Sequence, residues 1–469
     1  MANFVRNFYI KTPALWQRHF FAKKMKVTCY IYNALRNIEL KKLSNLEKDT
    51  EYSSVINKPF KDWTSKDKAL VRDKRKEYKL TRLDFINDVK PIYKFYKETY
   101  SSQMAQSVAK RLWQSFNRYF YGNGEYISEM KYSNSFESES NTNGIIFTGN
   151  KVRIMKKEFD VVIPNDTYTQ KILENKIAYV RIIRLIGKTK DRYYAQVVFQ
   201  GTPPLKNRKQ SIGSVGIDIG TSTVAVCSNS YVYLDELAKD IKKMGKDYKR
   251  LDRKMERSRR ATNQDNYNED GTIKKEKQLK WYKSKHYKVL ARKKRYLANK
   301  IKRCRKLSHE ILANEILSKG NVFHVEKMNF KALQKRTKKT EKNEAFKFKK
   351  KKRFGKSLSI HSPSQFISIL KRKANYYNYE IDEVNTTVKA SQYNHITKEY
   401  KKKKLNERKC IIGEYEIQRD LYSAFLLMNT NDNIIQQELC EKSFNNFVIL
   451  HNIEIERLKK QKNISCIGY

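Results

Sequence analysis

The sequence predicts a multidomain α+β protein, rich in long helices, with its β-structure gathered in a small module and in a second, mixed half. Three observations predict it. The chain runs to 469 residues, more than one hydrophobic core organises, and at about 150 residues per domain it divides into about three. Only 7 Pro and 15 Gly interrupt it, so helices can run long. The apolar pattern also changes along the chain, from a recurrence every four residues in SSQMAQSVAKRLWQSFNRYFYGNG to alternation between about 145 and 202.

Composition narrows the partners. Lys and Arg number 100 against 49 Asp and Glu, a formal charge of +51. Like charge at that density resists compaction, so a polyanion is expected, nucleic acid before an anionic membrane. No stretch approaches the roughly 18 consecutive apolar residues of a membrane span, and MANFVRNFYIKTPALW lacks an apolar signal core. The expectation is a cytoplasmic protein with no membrane partner. With 39% hydrophobic residues, including 31 Tyr and 22 Phe, the chain can fill real cores, which separates it from disordered basic tails. Its six cysteines, Cys29, Cys227, Cys304, Cys410, Cys440 and Cys466, contain no CxxC pair and fit a reducing compartment.

The elements follow in order. Residues 1–125 read as a short strand followed by helices. In the last of these Met104, Val108, Leu112, Phe116 and Phe120 form one apolar stripe ending at Gly122, read as core rather than as a base-stacking platform. Lys110, Arg111 and Arg118 lie on the other face as candidate nucleic-acid contacts. Residues 126–204 are a β-rich module, in which IAYVRIIRLIG and RYYAQVVFQG pair as a hairpin around GKTKDR. TPPLKNRKQS then reads as a linker stiffened by Pro203 and Pro204.

Residues 205–430 carry the chemistry. SVGIDIGTSTVAVCSN reads as two strands around Asp218, with Gly216 and Gly220 expected to let the backbone turn tightly beside it. A helical pair spans about 236–318, interrupted by ATNQDNYNEDG. Its arms are charged mostly with one sign and rarely alternate Glu with Lys as a solvated helix does, so Arg257, Arg259, Arg260, Lys293, Lys294 and Arg295 are further candidate contacts. NVFHVEKMNF is a short strand ending in Glu326, followed by the basic segment RTKKTEKNEAFKFKKKKRFGK. His324 is expected to face away from Glu326 and to pack rather than catalyse. SPSQFISILKRKANYYN is an amphipathic helix opened by Ser362 and Pro363, and YEIDEVNT a strand. IQRDLYSAFLLMN is a helix with Asp420 in its first turn and Leu421, Ala424, Phe425 and Met428 facing inward. Residues 431–469 read as a helical tail.

Asp218, Glu326 and Asp420 each stand at a strand end or helix start, roughly a hundred residues apart. Only a fold brings them together. Carboxylates converging from rigid elements suit two Mg²⁺ ions clamping a phosphodiester, although one acidic residue at a helix start more often serves the helix dipole.

The three segments resemble a known family. GIDIGTST, HVEKMNFK and RDLYSAFL look like the three motifs of the RuvC nuclease domain of transposon-encoded TnpB, the relative of the compact type V CRISPR effectors, and the intervening SPSQFISILKRKANYYNYEIDEVNT resembles that family's helix and strand before its zinc-binding region. The resemblance is clear over about 205–430 and weaker over the first 200 residues. It implies an RNase H-like domain with an inserted helical hairpin, an N-terminal helical recognition lobe and a small barrel-like wedge module. It implies an endonuclease that cuts double-stranded DNA chosen by a structured guide RNA. Asp218, Glu326 and Asp420 fall on the family's catalytic, Mg²⁺-holding carboxylates; two ions are implied, with Mn²⁺ able to substitute.

The departures are specific. Family members carry two CxxC pairs between the second and third motifs. Here KASQYNH has no cysteine, and CIIGEYEIQRD keeps Cys410 but has Gly413 where its partner would stand. His395 with Cys410 offers two ligands at most, so no zinc is expected. Packing by Tyr393, Tyr400, Ile411, Ile412 and Tyr415 is expected to hold this zinc-less loop, about 389–417, instead. Tyr422 replaces the usual Asn after the catalytic aspartate and Gln418 a common Asp. The rival readings are a catalytically silent RNA-guided DNA-binding repressor, an RNA-independent transposon-associated nuclease, and a plain RNA-binding protein with idle carboxylates.

Overall fold

The computed structural model describes residues 3–12, 14–121, 124, 126–205, 211–275, 279–334, 354–402 and 407–460. Most of the basic segment after Glu326, the expected helix end at Gly122, part of the linker after Pro204, and Cys466 lie outside the described residues. The chain divides into two units, Met1–Pro204 and Leu205–Tyr469.

The first unit joins helices and sheet in one core. Strand β1 (Asn3–Ile10) leads into α1 (Leu15–Leu46), α2 (Thr50–Ile56), α3 (Ser65–Glu77), α4 (Arg82–Lys94) and α5 (Ser102–Phe120). Side chains cap several starts where sequence supplies them: Asp49 accepts from Tyr52 N–H, Thr64 from Asp67 N–H and Ser101 from Met104 N–H. Then come β2 (Ser135–Glu137), β3 (Ile145–Phe147), β4 (Lys151–Ile154), β5 (Lys157–Val162), α6 (Thr167–Leu173), β6 (Ile177–Leu185) and β7 (Arg192–Gln200). The seven strands form one antiparallel sheet in the order β2-β6-β7-β1-β5-β4-β3. It curls so that β3 comes back near β6. The predicted hairpin is the β6–β7 pair. Strand β1, from the other end of the unit, pairs along its whole length with β7, and the stripe Met104, Val108, Leu112, Phe116 and Phe120 is buried in the same core as Phe8, Phe136 and Val197. The expected boundary near residue 125 thus falls inside this unit.

In the second unit, β8 (Ser214–Ile219), β9 (Thr223–Ser228) and β10 (Tyr231–Glu236) form an antiparallel meander; after α7 (Lys242–Thr262) and α8 (Lys285–Ile316) comes β11 (Val322–Glu326). Helices α9 (Phe330–Gln334), α10 (Gly355–His361) and α11 (Pro363–Tyr377) precede β12 (Glu380–Val384). The sheet order is β10-β9-β8-β11-β12, with β11 parallel to both β8 and β12. Alternation assigns its faces. Val215, Ile217, Ile219, Val224 and Val226 point into a core with Ala313 and Ile316 of α8 and Phe366 and Leu370 of α11. Ala225 and Cys227 point the other way, into a core with α12 (Arg419–Met428) and α13 (Gln437–Lys459). The sheet is therefore the middle of three layers.

Two expectations change here. Every residue of α12 from Leu421 to Met428 is buried, not one inner face, because the helix lies between the sheet and α13. The C-terminal helix expected as a tail is part of the core: Phe444, Phe447, Val448 and Leu458 are buried, Glu454 accepts from Leu234 N–H at 2.7 Å, and Arg457 donates to Leu234 O at 2.9 Å. These bonds occupy the free edge of β10, which would otherwise be open to pairing.

Candidate functional site

Glycine sets the geometry of the site. Gly216 lies within β8, not at a turn as expected. A Cβ there would come within 1.9 Å of Ala424 O and 2.3 Å of Met428 N, so the bare backbone is what lets α12 lie directly on the strand. Asp218, two residues on, shares that face of β8. Asp420 precedes Ala424 by one helical turn and shares the helix face that meets β8. Strand register and helix pitch therefore carry Asp218 and Asp420 to the same end of the contact. Glu326 ends β11, the parallel neighbour of β8.

The three carboxylates line one cavity of about 530 Å³, together with Lys402, Arg408 and Arg419. Burial first, then the charges of Asp420 and Glu326, push Asp218 well above the ordinary carboxylate range. Burial alone pushes Glu326 up. Asp420 is held differently. Arg419 donates through Nε and Nη2 to its Oδ1 at 3.0 and 2.8 Å, and Arg408 Nη1 to its Oδ2 at 3.3 Å. Among the described residues, no three His, Cys, Asp or Glu side chains converge closely enough to hold an ion in this arrangement. Neither arginine was among the candidate residues, although Arg419 directly precedes Asp420 and Arg408 directly precedes the hairpin β15 (Lys409–Ile412) and β16 (Tyr415–Gln418), which follows β13 (Tyr393–Asn394) and β14 (Glu399–Tyr400) in the chain.

The residues around Asp420 are built in. Gln418 caps α12, accepting from Leu421 N–H at 2.8 Å, and its own N–H donates to His451 Nε2 at 3.0 Å. Tyr422 is buried and its hydroxyl meets both the backbone N–H and Nδ1 of His395. Of the residues expected to hold the loop, Ile412 is buried, Tyr393 packs on Tyr400 with ring centroids 4.8 Å apart, and Tyr415 packs on Phe444 at 6.0 Å. Ile411 is exposed, because strand alternation puts its neighbour Ile412 inside. Cys410 Sγ lies 3.6 Å from Ile417 O. His324 has the same strand parity as Glu326, since side chains alternate with period two, so the expected opposition was mistaken. It is nonetheless buried, with Nδ1 3.3 Å from Asp382 on β12, and does not line the cavity.

The candidate nucleic-acid contacts divide into two kinds. Arg118, Arg257, Lys293 and Arg295 are exposed. Lys110 pairs with Glu139, Arg111 with Glu137 at 3.2 Å and Lys294 with Asp252. Arg259 and Arg260 bind Glu256 at 2.8 and 3.2 Å and lie over Trp281 and Tyr267 respectively, at 4.9 and 5.2 Å. They build the tip of the α7–α8 pair, as cations on aromatic faces do.

No protein-family profile matches this chain, and no curated protein does. Solved structures similar to it include a Cas12f1–sgRNA–target DNA complex, with a TM-score of 0.48 at 12% identity over 89% of this chain and 83% of that one. A CRISPR-Cas12f ternary complex has a TM-score of 0.29 at 14% identity, over 89% and 82%.

Proposed function

We propose that this chain is an RNA-guided DNA endonuclease of the TnpB and compact type V kind, with Leu205–Tyr469 built around a RuvC-type, RNase H-like domain. The observation that carries the reading is the convergence of Asp218, Glu326 and Asp420, from two parallel strands and one helix start, on one cavity. Ionising Asp218 there is costly unless a cation relieves it: burial and the two neighbouring carboxylates all oppose its charge. Hard carboxylate oxygens suit Mg²⁺ or Mn²⁺ rather than a thiophilic metal. Asp218 and Asp420 would share the ions and Glu326 would hold one of them. Divalent ions there would supply Lewis acidity at the phosphodiester and a nucleophile at neutral pH, so no histidine base is required.

The chain's own residues do the rest. Lys402 and Arg408, lining the same cavity, offer positive charge to the scissile phosphate. Close packing of α12 on Gly216 fixes the separation of the two aspartates. The excess of 51 positive charges suits a guide heteroduplex and the DNA around it, bound through phosphates and shape.

One observation favours a second reading, the silent DNA-binding repressor: both oxygens of Asp420 are occupied by arginines. The deciding experiment is to purify the protein without nuclease treatment, sequence the RNA that accompanies it, and offer DNA matched to that RNA in Mg²⁺. One discrete structured RNA with cleavage of matched DNA supports the endonuclease. A discrete RNA with binding but no cleavage supports the repressor, and RNA of mixed length overturns both.

A further inference from the structure

A second cavity, of about 350 Å³, neighbours the cavity that the carboxylates line. Ser222, on the turn between β8 and β9, lines both, so the two spaces share a wall. The far side of the second is the start of α7, where Lys242, Lys246 and Lys249 follow at helical spacing on one face. Lys242 is 3.3 Å from Glu236. Lys246 and Lys249 are exposed and form no ion pair with an acidic side chain among the described residues. Lys246 also borders an open cleft with Lys239, Lys243 and Arg250, in which these basic residues outnumber Asp240 and Asp247, so net positive charge continues along α7.

Gly245 sits between these lysines and lines the same cavity. Glycine weakens a helix relative to alanine, and it is usually explained by left-handed backbone or by a close neighbour. Neither applies: its conformation is helical, and a Cβ there would meet nothing within 4 Å. What the missing side chain leaves is bare helix backbone facing a cavity lined also by Lys246, Lys249, Ser357 and Ile360, in which Glu236 is paired with Lys242.

We infer that this cavity is a binding slot for one nucleotide of the single DNA strand being cut, next to the scissile phosphate. Lys246 and Lys249 contact its phosphates, and Gly245 leaves room for its sugar and base against α7. The inference rests on the nuclease reading, and names how its substrate strand is held. At about 350 Å³ the slot has room for a single nucleotide rather than for a base pair, and lysines that track the phosphates accept any base. Its shared wall with the carboxylate cavity, at Ser222, assigns it to the strand being cut rather than to the guide.

The test uses the protein with its copurified RNA, in an Asp218→Asn background so that DNA is bound but not consumed. Affinity for a fluorescent single-stranded DNA oligonucleotide is measured against salt. Replacing both lysines (Lys246→Gln with Lys249→Gln) is expected to reduce the slope of log affinity against log salt by about 1.4, since each single-strand phosphate contact contributes about 0.7. Gly245→Leu is expected to weaken affinity about tenfold with the slope unchanged and the melting temperature unchanged or raised. An unchanged slope in the lysine variant, or unchanged affinity in Gly245→Leu, overturns the slot. Loss of copurified RNA in either variant overturns it too, by assigning the surface to the guide. Cleavage by the unaltered protein separately decides the reading on which the slot rests.

Discussion

The hydroxyl of Tyr422 lies 2.7 Å from Nδ1 of His395 and 3.1 Å from the backbone N–H of the same residue. It accepts from the amide and has its own proton for the ring nitrogen, a pairing that satisfies both buried groups. Burial pushes the Tyr422 phenol up and the His395 imidazole down, so both stay neutral at physiological pH. His395 also packs edge-on against Phe444 at 4.6 Å. The loop carrying His395 is thereby tied to the helix that carries Asp420.

Tyr422→Phe keeps the ring and removes this tie. It is expected to cost about 1–2 kcal/mol, the effect of leaving a buried polar partner unsatisfied. Urea denaturation of the two proteins measures it. A change below about 0.3 kcal/mol would mean that ring packing alone holds the loop.

Zinc should be substoichiometric. Nδ1 of His395 is engaged by Tyr422, and Cys410 has no second thiol at CxxC spacing. Elemental analysis should find well under one zinc per chain, and a chelator should abolish cleavage without lowering the melting temperature as loss of a structural metal would.

How much of this was legible in the sequence depends on whether the signal was local. The alternation in IAYVRIIRLIG, the four-residue stripe from Met104 to Phe120 and the start of α12 each needed only neighbouring residues, and each is where periodicity predicted it. Strand β1 pairs with residues nearly two hundred positions away, which no local pattern announces. The role of Gly216 was misread for the same reason: a glycine in a turn and a glycine under a helix look alike until the helix is in place. Arg408 was hidden among many basic residues, its meeting with Asp420 set by the β15–β16 hairpin.

Gly216→Ala tests that packing. The added methyl would meet the backbone of α12, which cannot yield as a flexible side chain can. The substitution should destabilise the second unit by about 1–3 kcal/mol and reduce cleavage although all three carboxylates remain. Full activity with unchanged stability would contradict the close approach.

Stability should also carry the mark of Glu39, which is fully buried in the first unit with Lys42 Nζ 3.4 Å away. Burial first, then the neighbouring carboxyl of Asp88, raises its carboxyl to about 8. The folded chain therefore keeps a proton that the unfolded chain loses near pH 4.5, and stability falls as pH rises from there to about 8. Melting temperatures of the wild type and Glu39→Gln should diverge between pH 5 and 8.5, with the variant gaining at the alkaline end. Parallel curves would rule Glu39 out as the cause.

The central claim is that Asp218, Glu326 and Asp420 form one hydrolytic site. The direct measurement places Asp218→Ala, Glu326→Ala and Asp420→Ala beside the unaltered protein, each with its copurified RNA in Mg²⁺, and follows cleavage and binding of matched DNA together. Each substitution should reduce cleavage by orders of magnitude and leave guide-directed binding within a few-fold, because the phosphate contacts lie elsewhere. If all three variants still cut, the site is not here.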